Sequence, residues 1–376
     1  RPMIRVVDGL ESLGYLDNHK GFYDQGKQSG YQSRMRASGR LIDLIQNYDV
    51  APAMISRDES DFIVLHDADD KKEIPFDDTD EIVRMRQQLV SYNSFLQGHQ
   101  IRLSLPKEAI RKILIPSRRS SIDYTRICLY RIFNEDFTLG GRFYRGWWQN
   151  VPRELRRHIT IGGEPCSELD YSGQHLLLLY DFEGDEYSWL RGLNNDPYSL
   201  EDHGEDVRDL LKRSVLVLVN SSNETQAIRA IREKINYEYP YLDSTDVYIR
   251  SLIEALTDKH PEIEDHLFSG RGGELQYQDS QITEYVLKDM QARGQPVLPV
   301  HDSFIVQDKY LAHLYSSMKE AYRMLGVDSI PEIKIKKGAN TTYDKPHFMQ
   351  LWELMDKERK INQKEFEAVK QLEDFV

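Results

Sequence analysis

Apolar positions recur along the chain in two rhythms, and the switches between them mark its elements. Over 80–97, "DEIVRMRQQLVSYNSFLQ", the spacing is helical, and Asp77, Asp78 or Thr79 supplies the cap that starts the helix. Residues 1–50 read as helix, hairpin, helix: "VVDGLESLGYL" runs into Gly14, "GFYDQGKQSGYQSRMRASGRL" holds glycine-punctuated extended pieces, and "RLIDLIQNY" is helical again. That order, with Arg34 and Arg36 on the second extended piece, looks like a winged helix, a module that contacts either DNA or protein. "DFIVLHDADDKKEIPF" (61–76) reads as a hairpin with an acidic turn. Residues 102–200 mix strands and helices, 205–219 and further segments to about 292 are helical, and so is the tail "FMQLWELMDKERKINQKEFEAVKQLEDFV". No internal repeat or low-complexity tract interrupts the chain.

Two strands carry an aspartate where burial makes one costly. "LPVHDSFIVQ" (298–307) reads as a buried strand with His301, Asp302 and Ser303 in its middle, and an ionised Asp302 there needs a cation or a set of donors. In "CSELDYSGQHLLLLY" (166–180) a short strand delivers Asp170 at its edge, followed by a glycine and an apolar helix. If these strands are neighbours, the two carboxylates make an all-oxygen site for a hard cation, Mg²⁺ with Mn²⁺ as substitute. Aspartates at strand ends more commonly cap or turn. The helix "VRDLLKRSVLVLVNSS" (207–222) changes the balance, because Arg208 and Lys212 are four apart and share a face of an otherwise apolar helix, with Arg213 beside them. A nucleoside triphosphate tail is an economical partner for that planar fork and point charge, and pairing with Glu205 and Asp209 is the plainer alternative.

Composition bounds these readings. The 376 residues are 40% apolar and 30% charged, which is ordinary for a globular chain with one or more substantial cores. No run of about 18 apolar residues is present, so no membrane helix is expected. The start "RPMIRVVDGL" suggests a fragment from which an N-terminal region is missing. Cys128 and Cys166 have neither pairing nor zinc spacing, and a reducing, cytoplasmic setting is the default. The net charge of −13 excludes a uniformly basic coat, yet 107–157 carries twelve Lys and Arg against five acids. Such a block contacts phosphates or is simply a solvated face.

Five short stretches, in order, resemble the active-site motifs of one superfamily. "TLGGR" (138–142), "LDYSGQHLLLLY" (169–180), "RDLLKRSVLVLVN" (208–220), "LQYQDSQ" (275–281) and "HDSF" (301–304) are similar to elements of single-subunit, phage-type RNA polymerases and DNA polymerase I-type (family A) enzymes. The resemblance implies that Asp170 and Asp302 hold metals, assisted by the Tyr171 carbonyl, and that Arg208, Lys212 and Arg213 hold the triphosphate. It implies that Arg142 and Gln276 or Gln278 touch nucleic acid near the primer end, and that His301 steadies the primer terminus. Two positions depart from the family pattern. Asn220 stands where these families place a base-stacking Tyr, and His175 where family A places a glutamate that screens the 2′-hydroxyl, which leaves the choice of sugar open.

The expected fold is α+β, a right-hand polymerase with an antiparallel palm sheet, helical fingers and thumb, and the winged-helix-like module in front. The divisions are 1–78 (module and hairpin), 79–125 (thumb-like), 126–200 (palm), 201–269 (compact fingers), 270–344 (palm) and 345–376 (helical tail). The expected reaction is template-dependent nucleotidyl transfer to a 3′-hydroxyl with pyrophosphate release. The expected partners are a DNA or RNA primer-template, nucleoside triphosphates and an accessory replication or transcription protein. The alternative is a weakly active or inactive polymerase fold that binds nucleic acid in replication initiation or assembly. A metal-dependent phosphohydrolase uses the same aspartates but gives the spacing of Arg208 and Lys212 no purpose.

Overall fold

The structure is a computed structural model that describes residues 2–24, 29–31, 33–48, 61–68, 70–114, 122–183, 196–200, 203–327 and 330–339. The chain divides into two units, residues 1–59 and 60–376.

The first unit runs α1 (Pro2–Ser12), β1 (Leu16–His19), β2 (Phe22–Asp24), β3 (Ser29–Tyr31), β4 (Arg34–Ala37) and α2 (Gly39–Asn47). β1 pairs with β4 and β2 with β3, both antiparallel, so the strands fold back as one ribbon between the two helices. Ser38 caps α2, its hydroxyl accepting from the Leu41 N–H at 3.4 Å. Arg36 lies opposite Asp17 in the ribbon and pairs with it at 2.8 Å.

The second unit is mixed α+β. It runs β5 (Ile63–His66), α3 (Asp80–Gln97), β6 (Ile101–Leu103), α4 (Lys107–Leu114), β7 (Tyr130–Asn134), β8 (Asp136–Tyr144), α5 (Arg153–Arg156), β9 (Ile159–Ile161) and β10 (Glu164–Ser172). Then come α6 (Gln174–Phe182), α7 (Glu205–Asn220), α8 (Glu224–Glu238), α9 (Asp246–Lys259), α10 (Gly272–Ala292), β11 (Val297–Val300), β12 (Ser303–Gln307), α11 (Leu311–Met324) and β13 (Glu332–Lys336). The main sheet is antiparallel in the order β11-β12-β10-β9-β6, with β13 also on β10. A smaller sheet joins β5, β7 and β8.

Strand alternation decides which side of the main sheet is packed. Leu169 and Tyr171 of β10 are buried, and the Tyr171 hydroxyl donates to the Met318 carbonyl of α11 at 2.7 Å. Glu168 and Asp170 therefore face the other way. α10 is the central helix of the unit, and its buried stripe includes Leu275, Asp279, Ser280, Ile282, Thr283 and Val286. Two arginines from the β7–β8 ribbon hold its polar members. Arg131, 2% exposed, reaches Glu284 at 2.6 Å, the Ser280 hydroxyl at 3.0 Å and the Gly141 carbonyl at 2.9 Å. Arg142 reaches Asp279 at 2.5 Å.

Several local expectations shift. The helix over 80–97 is α3, and of its three candidate caps Thr79 acts, its hydroxyl accepting from the Ile82 N–H at 3.3 Å. The stretch 298–307 is not one strand but the hairpin β11–β12, closed by His301 and Asp302 as a two-residue turn. His301 takes a positive φ of 58°, the first central residue of such a turn, at a position that usually holds Gly or Asn. Residues 61–76 do turn back, through Asp67 N–H to Lys72 O and Ile74 N–H to Leu65 O, each 2.9 Å, but the main partner of β5 is β7, in parallel. Arg118, Arg119 and the tail 345–376 lie outside the described residues. Among the described residues no helix is long and apolar enough to cross a membrane.

Candidate active site

Asp170 and Asp302 meet where β10 runs beside the β11–β12 turn. Asp170 lies opposite Ser303 in the β10–β12 register, and the next backbone contact is Tyr171 N–H to Asp302 O at 3.3 Å. The approach shows in the electrostatics. Burial, with Asp170 and then Asp279 nearby, pushes the Asp302 carboxyl up to about 7. Asp302 forms no ion pair among the described residues, whereas Asp170 pairs with Lys336 at 2.8 Å.

A cleft of about 510 Å³ opens beside the turn. Its walls include Arg142, Arg153, Tyr171, His175, Tyr198, Lys212, Arg213, His301 and Asp302. It therefore gathers seven of the residues singled out in the sequence. Lys212 projects from the exposed face of α7 and carries no ion pair among the described residues. His301 lies edge-on to Tyr144, with ring centres 5.9 Å apart, and burial holds its pKa below the usual imidazole range.

Other sequence candidates are engaged elsewhere. Arg208 forms a fork on Asp196 at 2.8 and 2.5 Å and also reaches Asp209 at 2.8 Å. Pairing with Asp209, the plainer alternative for this cation, is thus part of its arrangement. Asn220 turns back on α7, its amide donating to Leu216 O at 2.6 Å, and abuts Gly272 at the start of α10. A Cβ at 272 meets that amide, so a larger residue there displaces the Asn220 side chain. Gln276 and Gln278 are half-buried on α10 and are not part of the cleft wall.

Beneath the cleft runs a buried polar chain. Gln174 donates to Asp279 at 3.0 Å, Asp279 receives Arg142, and Arg142 donates to Nε2 of His175 at 2.6 Å. Burial, aided by Arg142, pushes His175 down to about 4, so the ring is neutral and accepts at Nε2. Arg142 thus anchors α10 as well as lining the cleft. Asp279, 1% exposed, was not singled out in the sequence, although a carboxylate in the buried stripe of a helix requires a cation.

A second cleft, of about 580 Å³, lies along the sheet from Asp170 and is lined by Arg153, Arg156, Arg157, Lys336 and Lys337 around Glu168. Three of these arginines belong to the basic block noted at 107–157.

As to a metal, no cluster of three or more His, Cys, Asp or Glu suited to an ion occurs among the described residues. The donors present are the carboxylates of Asp170, which also holds Lys336, and Asp302. That set fits Mg²⁺, which keeps several waters and binds through one or two carboxylates plus substrate phosphates.

No protein-family model matches the chain, and no curated protein matches it. Among solved structures it is similar to the POL domain of Pol1 from M. smegmatis in complex with DNA primer-template and dNTP, at 13% identity and a TM-score of 0.40. The match covers 57% of this chain and 48% of that one, about half its length.

Proposed function

We propose that the chain is a compact template-dependent nucleic-acid polymerase that transfers a nucleotidyl group to a 3′-hydroxyl and releases pyrophosphate. The observation that carries this reading is the strand register that sets Asp170 one step from Asp302, which lines a cleft together with Lys212 and Arg213. A pair of acids beside a cationic helix face suits a triphosphate whose charge must be balanced during transfer.

In this reading the main sheet is the palm, α7–α9 the fingers, and α3 part of a thumb-like region. Asp170, Asp302 and the Tyr171 carbonyl hold the cation, Mg²⁺ or Mn²⁺. When bound, it supplies charge neutralisation and polarisation at the reacting phosphoryl oxygens. Lys212 and Arg213 grip the triphosphate, and Arg208 joins them by exchanging Asp196 for phosphate. His301 sits where a primer terminus enters. Arg142 keeps the cleft wall rigid through Asp279 and His175. The second cleft, with Arg153, Arg156 and Arg157, accepts the backbone of primer or template. Gln276 and Gln278 read the duplex from α10. The ribbon of the first unit, with Arg34 and Arg36, acts as the winged-helix-like contact for DNA or for an accessory protein.

Primer extension tests this reading. RNA and DNA primers on RNA and DNA templates are incubated with Mg²⁺ or Mn²⁺ and with each nucleotide set. Template-directed incorporation in at least one combination is expected. Binding that weakens steeply with salt, without incorporation, supports the second reading, an inactive polymerase fold acting as a nucleic-acid-binding module. One observation favours that alternative: Arg208, Arg213 and Asp170 are all paired within the chain, Arg213 with Glu238.

A further inference from the structure

The strand β13 reads Glu-Ile-Lys-Ile-Lys, and alternation separates its two lysines from its two isoleucines. In the β10–β13 register Lys334 lies opposite Asp170 and Lys336 opposite Glu168. The directly opposed lysine is not the one that pairs with Asp170. Lys334 goes to Glu332 at 3.4 Å, while the Lys336 ammonium reaches diagonally to Asp170 Oδ2 at 2.8 Å and also lies 3.2 Å from Glu168 Oε1.

Glu168 does not depend on this lysine. It also receives the Ser303 hydroxyl at 2.9 Å and Arg156 Nε at 3.3 Å. Asp170 is different, since Lys336 is its one ion-pair partner among the described residues. The ammonium thus stands against a carboxylate that the reading above gives to a divalent cation, with a second acceptor within reach.

We propose that Lys336 is a resident counter-ion that competes with the divalent cation for Asp170 and withdraws to Glu168 when the cation binds. The inference rests on the polymerase reading of the Asp170–Asp302 site. A lysine suits the task because its ammonium is a point charge on a flexible stem, free to swing between two acceptors without a fork geometry to satisfy. The consequence is a raised threshold of cation concentration for loading the site. Metal affinity is therefore set partly by a residue that is not a ligand.

The test is Mn²⁺ binding to the full chain without nucleotide, followed by electron paramagnetic resonance of the free ion. Lys336→Met and Lys336→Gln should each tighten Mn²⁺ binding about tenfold, and Lys336→Arg should not tighten it. Asp170→Asn should lose the site in either background. If Asp170→Asn removes binding while both neutral variants bind no more tightly than the parent, the counter-ion role is overturned and the metal site stands. If Asp170→Asn binds Mn²⁺ like the parent, the cation is not at Asp170, and both the role and the site assignment fall. Thermal melting of Lys336→Met and Lys336→Gln checks that each variant is folded, and either one suffices for the comparison.

Discussion

Tyr171 donates its backbone N–H to the carbonyl of Asp302 at 3.3 Å, one residue beyond the Asp170–Ser303 pair, and this contact brings two acids remote in sequence to neighbouring positions of the sheet. The hairpin turn at His301-Asp302 makes the meeting possible. It lifts Asp302 out of the strand ladder and leaves its carboxyl short of positive charge.

That shortage has a pH signature. The folded-state pKa of Asp302 is raised to about 7, against about 3.9 for an unfolded aspartate. Between those values the folded chain holds a proton that the unfolded chain releases, so stability falls as pH rises from about 4 to about 7. In metal-free buffer, denaturant unfolding at pH 5 and pH 8 should show this loss. Asp302→Asn should reduce the loss by more than about 1.4 kcal/mol, the equivalent of one pKa unit. Equal pH slopes in the two proteins would contradict the assignment.

His175 works in the opposite direction. Its pKa is depressed to about 4, so below about 6.5 the unfolded chain takes up a proton that the folded chain refuses, and stability falls as pH falls towards 4. A histidine NMR titration should find the His175 ring still neutral at pH 5.5, its signal identified by its absence from the His175→Gln spectrum. A parent protein whose every ring titrates near 6.5 would rule this out.

Lys212 and Arg208 share a helix but not a situation. Lys212 is exposed, so Lys212→Ala should leave unfolding free energy within about 0.5 kcal/mol and impair nucleotide use. Arg208→Ala strands Asp196 and should cost stability as well as activity. Denaturation curves alongside steady-state nucleotide titrations separate the two. A Lys212→Ala enzyme with unchanged KM and kcat would remove this lysine from the site.

Arg131 is a structural cation. Buried between the Phe133 and Phe143 rings and held by Glu284, Ser280 and Gly141, it ties the β7–β8 ribbon to α10. Arg131→Ala takes the buried guanidinium from Ser280 and the Gly141 carbonyl and leaves the half-buried Glu284 to Lys288 alone, and should destabilise by about 1–3 kcal/mol. Urea unfolding measures it, and a loss under about 1 kcal/mol would mean that the ribbon is held otherwise.

Periodic segments were legible in the sequence because they report a single packed face. The stripes of α3 and α7 announce both helices, and α7 ends within a residue of its expected bound. The strand, glycine and apolar helix at 166–180 were equally plain, with Gly173 in the left-handed conformation at the junction. The β11–β12 turn was not, since His-Asp is not the glycine- or asparagine-bearing pair that marks such turns, and the apolar residues on both sides read as one strand. The partners of Arg208, Arg142 and Asp170 were hidden for a different reason. Asp196, Asp279 and Lys336 reach them only through tertiary register, which no local pattern encodes. Asp279 alone left a trace, as an acid in an apolar helical stripe.

The most direct measurement is primer extension by Asp170→Asn and Asp302→Asn, each checked for cooperative melting well above the assay temperature. Both substitutions keep shape and remove charge, so each should lower Mg²⁺-dependent incorporation by about a thousandfold or more, as expected for loss of transition-state charge stabilisation. Incorporation at the parent rate by either folded variant would contradict the claim that these two acids form the reaction centre.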